Sequence, residues 1–206
     1  MTPVAGPSCP GEIVALVERH RRATRLAVQR AAADLFEEHG CEAVSFEQVA
    51  AAAGISTSAL RRYCDTAEDA ATCHLVTAAG DLADAVSRRR GASLLWAVHE
   101  GVQEVFATVE APALDLRRMI VVCLDQPPLT RRWLAAGREG QLRLAEVIAG
   151  RSSGPGTAAA EAQAGAVMAA VLTASEHWAL DGGSLPGHLA DCFSAIEVLD
   201  VPFGSA

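Results

Sequence analysis

Two helix-start signals on either side of one glycine constrain this fold more than any other feature of the sequence. Ser45 precedes Gln48 by three residues, which is the spacing of a capping box at a helix N-terminus. Gly54 can end that short helix, and the serine two residues further on can cap a second one. The pattern therefore predicts two short helices joined by a tight turn, at 46–53 and 57–63.

A longer helix is predicted before these two, over about residues 12–39, and Gly40 stands where a helix-ending glycine belongs. Three helices in this order have the layout of a helix-turn-helix, whose second short helix is presented to the major groove. An apolar seam would fix the angle between the short helices: Val49, Ala50, Ala53, Ile55 and Leu60. The pattern alone is also compatible with two capped helices inside an ordinary bundle.

The polar side chains outside this seam are hydroxyl, amide and guanidinium donors, which proteins use on phosphates and base edges. The formal charge is −8, so DNA binding must depend on where the arginines lie and not on net charge. The candidate DNA contacts are Ser45, Gln48, Thr57, Ser58, Arg61, Arg62 and Tyr63, with Arg21, Arg22 and Arg25 on the preceding helix.

The remaining sequence predicts more helices and no sheet. Half of the residues are hydrophobic but only 4% are aromatic, and the alternating β-branched runs of strands are missing. Helices are expected over about 66–89, 93–110, 112–125, 127–150, 157–181 and 186–199. Thr66 with Asp69 three residues later is a cap signal at the start of the first of these. We expect an all-α chain with a loose arm at 1–11, a helix-turn-helix domain at 12–70, and a helical ligand-binding and dimerisation domain at 71–206.

No motif of an enzyme or a metal site is present in the sequence. It has no glycine-rich phosphate loop, no serine nucleophile elbow and no zinc-like cysteine spacing. Cys73 and His74 are adjacent, so on a helix they point about 100° apart and suit a catalytic pair poorly. We expect no catalysis, metal or cofactor. Without a signal peptide or an apolar span, we expect a cytoplasmic protein with no membrane partner.

Residues 31–40 (AAADLFEEHG) and 44–56 (VSFEQVAAAAGIS) resemble the N-terminal domain of the TetR family of transcriptional regulators. The resemblance implies a repressor that binds palindromic operator DNA as a homodimer and is released by a small molecule. Three positions depart from the family pattern: Arg61 replaces a tyrosine, Cys64 a phenylalanine and Ala67 a lysine. The missing tyrosine and lysine commonly contact phosphates in the family, so Arg61 and Arg62 are expected to supply that charge.

In the second half, residues 95–98 (LWAV), 112–114 (PAL), 117–119 (RRM) and the segment from Trp178 to Gly183 form a looser pattern. This pattern resembles the TetR subgroup with an acyl-CoA-like ligand-binding domain, which includes mycofactocin-type regulators. That resemblance and the apolar character of the segment imply a small hydrophobic or acyl-CoA-like effector. The candidate effector contacts are Trp96, His99, Glu100, Met119, Cys123, Trp133 and Glu176. Each of them can instead be an ordinary core or surface residue.

The last two predicted helices carry more small and apolar surface than one helix pair needs. Its residues are Ala158, Ala159, Ala162, Val167, Ala170, Val171, Ala174, Leu189, Phe193, Ile196 and Leu199. A four-helix dimer interface would bury it, whereas an intramolecular hairpin is the simpler alternative. Cys64, near the end of the second short helix, suggests a thiol-based redox sensor as an alternative function. The simpler interpretation of Cys64 is a buried, unreactive thiol.

Overall fold

All regular structure is helical in the computed structural model, which describes residues 10–106, 113–151 and 156–197. The helices are α1 (Pro10–His39), α2 (Phe46–Ala52), α3 (Thr57–Leu60), α4 (Ala67–Arg88), α5 (Leu94–Phe106), α6 (Ala113–Asp125), α7 (Pro127–Ala149), α8 (Thr157–Asp181) and α9 (Leu185–Glu197), with one 3₁₀ turn at Cys41–Ala43. The predicted all-α class is confirmed. The predicted helix ends at 107–110 and 198–199, and residues 1–9 of the predicted arm, lie outside the described residues.

The chain divides into two compact units, Met1–Cys73 and His74–Ala206, called here the N-terminal and C-terminal units. The division falls within α4, a few residues after the boundary placed at residue 70 from the sequence. Pro10 and Gly11, which the sequence assigned to the arm, already belong to α1. A proline is tolerated there because the first turn of a helix has no partner for its N–H.

One face of α1 forms the core of the N-terminal unit. Val28, Ala32 and Phe36 are fully buried, and so are Val49 of α2 and Leu60 of α3. This spacing along α1 is that of a helix with one apolar face. Isolated helices as short as α2 and α3, with 7 and 4 residues, are not stable in water. Their formation and orientation therefore depend on this shared core.

Close helix approach organises the C-terminal unit, where α7 packs between neighbouring helices. A Cβ on Gly140 would lie 2.5 Å from the Ala79 Cβ of α4 and 3.1 Å from the Met168 Cε of α8. Glycine is therefore required at this crossing. The unit ends in a hairpin of α8 and α9, turned by Gly182 and Gly183 at φ 83° and 80°. Within the described residues, no helix combines the length and apolar character needed to cross a membrane.

Candidate functional site

The capping box predicted at Ser45 is formed. The Gln48 backbone N–H donates to Ser45 Oγ at 3.2 Å, and the Ser45 N–H donates to Gln48 Oε1 at 2.7 Å. Both side chains act as acceptors in these bonds and both residues are exposed. The Ser45 hydroxyl proton and the Gln48 –NH₂ group are thus left to act as donors toward another molecule.

The turn between α2 and α3 depends on a left-handed glycine. Gly54 has φ +68°, which a residue with a side chain adopts only at a cost. The Ile55 N–H donates to the Ala50 carbonyl at 3.0 Å, and Ser56 Oγ caps α3 by accepting from the Ala59 N–H at 3.1 Å. The predicted turn and cap are both present, and α3 therefore begins at Thr57 with Ser58 exposed beside it.

The helix α3 ends at Leu60, three residues before the end predicted from the sequence. The backbone N–H groups of Arg62 and Tyr63 donate to the carbonyls of Ala59 and Leu60 at 3.2 and 2.8 Å. Bonds that reach back three residues tighten the chain into a turn. Arg61, Arg62 and Tyr63 consequently lie in this turn and not on the helix.

The two adjacent arginines have different neighbours. The Arg61 Cζ lies 5.1 Å from the centroid of the Phe46 ring, which places its guanidinium over the first residue of α2. Arg62 and Tyr63 instead line a groove of about 770 Å³ together with Arg21 and Arg25 of α1. Arg22, also on α1, is exposed and is not part of the groove lining.

Cys64 occupies a buried position directly after this turn. Its thiol lies 3.9 Å from the Leu60 carbonyl oxygen, as a weak donor. Burial, with a smaller contribution from the nearby carboxylates of Asp69 and Asp65, raises the pKa of the Cys64 thiol to about 12. A thiol with this pKa is protonated at neutral pH, which makes it a poor nucleophile.

The predicted effector contacts all belong to the C-terminal unit, but the contacts found there do not join them into one cluster. Met119 and Cys123 are buried one turn apart on α6. The buried Trp133 indole N–H of α7 donates to Glu176 Oε1 of α8 at 2.8 Å. Trp96 and His99 on α5 are exposed, Trp96 to 51%, and Glu100 is half-buried. Within the described residues, no three His, Cys, Asp or Glu side chains are arranged to hold a metal.

An apolar cavity of about 540 Å³ between α5, α8 and α9 was not anticipated from the sequence. It is lined by Leu94, Leu95 and Val98 of α5, by Gln163, Ala166 and Val167 of α8, and by Phe193 and Ile196 of α9. None of the predicted effector contacts lines it. The sequence signal was present in Val167, Phe193 and Ile196, but it predicted a dimer surface for these residues.

The outer faces of α8 and α9 carry small side chains. Ala162, Ala169 and Thr173 of α8 are exposed, as are Ala190 and Ser194 of α9. Ala170, Val171, Ala174 and Leu189 were assigned to a dimer surface by the sequence, but they are buried within the unit. These four side chains lie on the faces of α8 and α9 that pack against the core of the C-terminal unit.

Comparison with known proteins gives one family match. Residues 29–64 match the family model described as bacterial regulatory proteins, tetR family. No match to a curated protein sequence was found. A crystal structure of Thermus thermophilus FadR, a TetR family transcriptional repressor in complex with lauroyl-CoA, is similar with a TM-score of 0.52 and 19% identity, over 88% of this chain and 98% of that one. PfmR, a TetR family transcriptional regulator from Thermus thermophilus, matches with a TM-score of 0.39 and 18% identity, over 83% and 95%.

Proposed function

From the premise that this chain carries the helix-turn-helix domain of the TetR family, we propose that it is a ligand-responsive transcriptional repressor. It binds palindromic operator DNA as a homodimer and leaves the operator when a small hydrophobic or acyl-CoA-like ligand binds its C-terminal unit. The observation that carries this proposal is the capped α2–Gly54–α3 arrangement within the matched segment 29–64.

The proposed DNA-facing side of the N-terminal unit consists of polar donors from α1, from the starts of α2 and α3, and from the turn after α3. Ser45 and Gln48 lie at the start of α2, and Thr57 and Ser58 lie at the start of α3. The sequence contains no lysine, so every cationic side chain in this set is an arginine. Arginine presents a planar fork that fits a phosphate or the O6 and N7 of guanine in a bidentate way. The arginines proposed to contact DNA are Arg21, Arg22, Arg25, Arg61 and Arg62, with Tyr63 as a hydroxyl donor.

The effector is proposed to bind in the C-terminal unit. The cavity between α5, α8 and α9 has the size and apolar lining of a small-molecule site. A structure with a similar fold holds lauroyl-CoA, which supports an effector with an apolar chain. The residues predicted from the sequence do not line this cavity and stay a separate prediction for effector contacts elsewhere in the unit: Trp96, His99, Glu100, Met119, Cys123, Trp133 and Glu176. Two of them, Trp133 and Glu176, are hydrogen-bonded to each other.

A ligand can release DNA only if it binds one conformation of the dimer better than another. We therefore expect the effector to favour a conformation of the dimer in which the two N-terminal units no longer match the spacing of the operator half-sites. The exposed small residues of α8 and α9 support a dimer formed through these two helices.

The experiment starts from DNA that flanks the gene of this protein, since repressors often bind there. Fluorescence anisotropy should detect a duplex bound with a Kd of roughly 10⁻⁸ M or below at physiological salt, which is typical of specific recognition. Lauroyl-CoA, lauric acid and dodecanol are then tested for thermal stabilisation of the protein and for release of that duplex. A ligand that stabilises the protein and leaves the DNA affinity unchanged would refute the switch.

A cavity-filling variant tests where the effector binds. Val167→Trp should abolish ligand stabilisation while DNA binding persists, because the larger side chain occupies the cavity. Ala135→Trp, at an exposed position of α7, is the matched control and should respond to ligand like the wild type. Equal ligand responses in both variants would place the effector elsewhere.

A further inference from the structure

The N-terminal half of α1 extends well before the segment that matches the family model. It starts at Pro10, whereas the match starts at residue 29. Leu16 and Val17 on this extension are 51% and 45% exposed. Both line the groove that Arg62 and Tyr63 close from the other side. We call this feature the α1 groove.

Cations from two separate segments meet in the α1 groove. Arg21 and Arg25 come from α1, one turn apart, and Arg62 comes from the turn after α3. His20 also lines the groove. A concave surface with several guanidinium groups attracts anions more strongly than the same charges spread over a convex face. The groove is therefore built for a negatively charged group, although the whole chain carries a charge of −8.

One carboxylate stands close to two of these cations. Glu18 Oε2 lies 3.8 Å from Arg21 Nη1, and Glu18 Oε1 lies 3.7 Å from Arg25 Nη1. Both distances are longer than a hydrogen bond, and the Glu18 side chain is largely exposed to water. Such ion pairs are weak and readily exchanged. Glu18 is thus a loose internal counterion that a stronger anion can replace.

We propose that the α1 groove holds the sugar–phosphate backbone of DNA beside the stretch contacted by the helix-turn-helix, and that Glu18 competes with this DNA for Arg21 and Arg25. The inference rests on the proposed function and extends it to a second, sequence-independent contact. The stretch of α1 from Leu16 to Arg25 is about 14 Å long at 1.5 Å per residue. That length exceeds the size of one phosphate group, so the groove fits a stretch of backbone better than one free phosphate.

The chemistry of the groove matches that of a nucleic-acid backbone. Guanidinium groups form paired hydrogen bonds with phosphate oxygens, and the Tyr63 hydroxyl can donate to another. Leu16 and Val17 face the apolar edges of the deoxyribose rings. No base edge is required for any of these contacts, so the groove should strengthen binding to flanking DNA of arbitrary sequence.

Two duplexes test the proposal: the shortest one from the gene-flanking DNA that binds the wild type, and the same duplex extended by arbitrary sequence at each end. The wild type should bind the extended duplex several-fold more tightly. Arg21→Gln and Arg25→Gln should each remove most of this gain. Each should also lower the slope of log K against log salt by about 0.9 for every phosphate that is no longer neutralised. Glu18→Gln should have the opposite effect and bind the extended duplex more tightly than the wild type.

Controls separate this proposal from the proposed function and from misfolding. Arg90→Gln removes an exposed arginine of the C-terminal unit and should leave both duplexes bound as by the wild type. A gain of affinity in Glu18→Gln cannot come from loss of folding. The inference is overturned if the Arg21, Arg25 and Glu18 variants bind both duplexes like the wild type while Arg61→Ala still weakens binding. It is also overturned if the wild type binds the extended duplex no more tightly than the short one. If the wild type binds neither duplex, the proposed function itself fails.

Discussion

Arg61 and Arg62 are adjacent in the sequence, but their side chains have different neighbours and therefore different expected roles in DNA binding. The Arg61 guanidinium lies over the Phe46 ring, and this cation–π contact favours one position of the side chain before DNA binds. A pre-ordered fork loses less entropy when it forms two hydrogen bonds to a guanine. Arg62 faces the α1 groove with Arg21 and Arg25, where a backbone phosphate is the expected partner. The two neighbours are therefore expected to serve recognition and affinity separately.

Substituting each arginine by alanine tests this division of roles. Arg61→Ala should weaken binding to the preferred operator by about 1–3 kcal/mol and relax the preference at one base pair. Arg62→Ala should weaken binding to all sequences alike and reduce the salt slope by about one for each phosphate per half-site that the arginine had neutralised. Binding titrations at several salt concentrations, on the operator and its single-base variants, measure both effects. Wild-type affinity and slope in both variants would show that other residues hold the DNA.

The buried Cys64 thiol is expected to be unreactive in the folded protein. Its pKa is raised to about 12 from 9.0, so the folded state keeps the proton that the unfolded state releases above pH 9. This residue therefore stabilises the fold below pH 9, and the contribution is lost as the pH rises toward 12. With a colorimetric thiol reagent at pH 7.5, Cys64→Ser should show the same rapid phase as the wild type. Cys192→Ser should lose part of it, because Cys192 is partly exposed.

Redox sensing by Cys64 makes a different prediction from the buried, unreactive thiol. Peroxide would lower the affinity for operator DNA, a thiol reductant would restore it, and Cys64→Ser would be insensitive. That combination of results would contradict the role assigned to Cys64 by its burial.

At the scale of single elements, the sequence predicted the described helix starts and ends to within two residues, except at the end of α3. The capping boxes at Ser45 and Thr66 form because both partners lie within one turn of the chain. The end of α3 at Leu60 has no such local signal. It coincides with the hydrogen bonds that Arg62 and Tyr63 make to the carbonyls three residues before them.

Sites built from several helices were harder to predict than single elements. The cavity between α5, α8 and α9 joins Leu95, Val167 and Phe193, which are far apart in the sequence. Helical periodicity identifies an apolar face but not the partner against which that face packs. Met119 and Cys123 show the same limit, because their apolar spacing fits a core position as well as a cavity wall. Trp133 and Glu176 form a pair that no local pattern in the sequence indicates.

The crossing of α7 with α4 and α8 predicts a large effect from a small substitution. Gly140→Ala places a methyl group 2.5 Å from the Ala79 Cβ, so the helices must separate. Overpacking of this kind costs about 1–3 kcal/mol of unfolding free energy. Gly91→Ala is the matched control, since a Cβ there has no atom within 4 Å and should be nearly neutral. Urea unfolding followed by tryptophan fluorescence measures both, and equal midpoints would contradict the tight crossing.

For the whole molecule, the proposed homodimer follows from the exposed small residues on α8 and α9. A two-fold axis brings each such residue close to its own copy or to a neighbouring residue, so one charged substitution acts twice. Ala169→Arg should shift the mass measured by light scattering at micromolar concentration toward the 21.4 kDa monomer. Ala135→Arg, exposed on α7, should not change the mass. A wild type of 21.4 kDa would refute the dimer.

All three tryptophans of the chain, at positions 96, 133 and 178, belong to the C-terminal unit. Trp133 and Trp178 are buried and Trp96 is half in water, so their emission wavelengths differ without any added dye. The N-terminal unit has only Tyr63 as a phenolic or indole chromophore. Intrinsic tryptophan fluorescence therefore reports on the C-terminal unit only. Ligand titrations can be followed by intrinsic fluorescence, whereas melting of the helix-turn-helix leaves that signal largely unchanged and is recorded by circular dichroism.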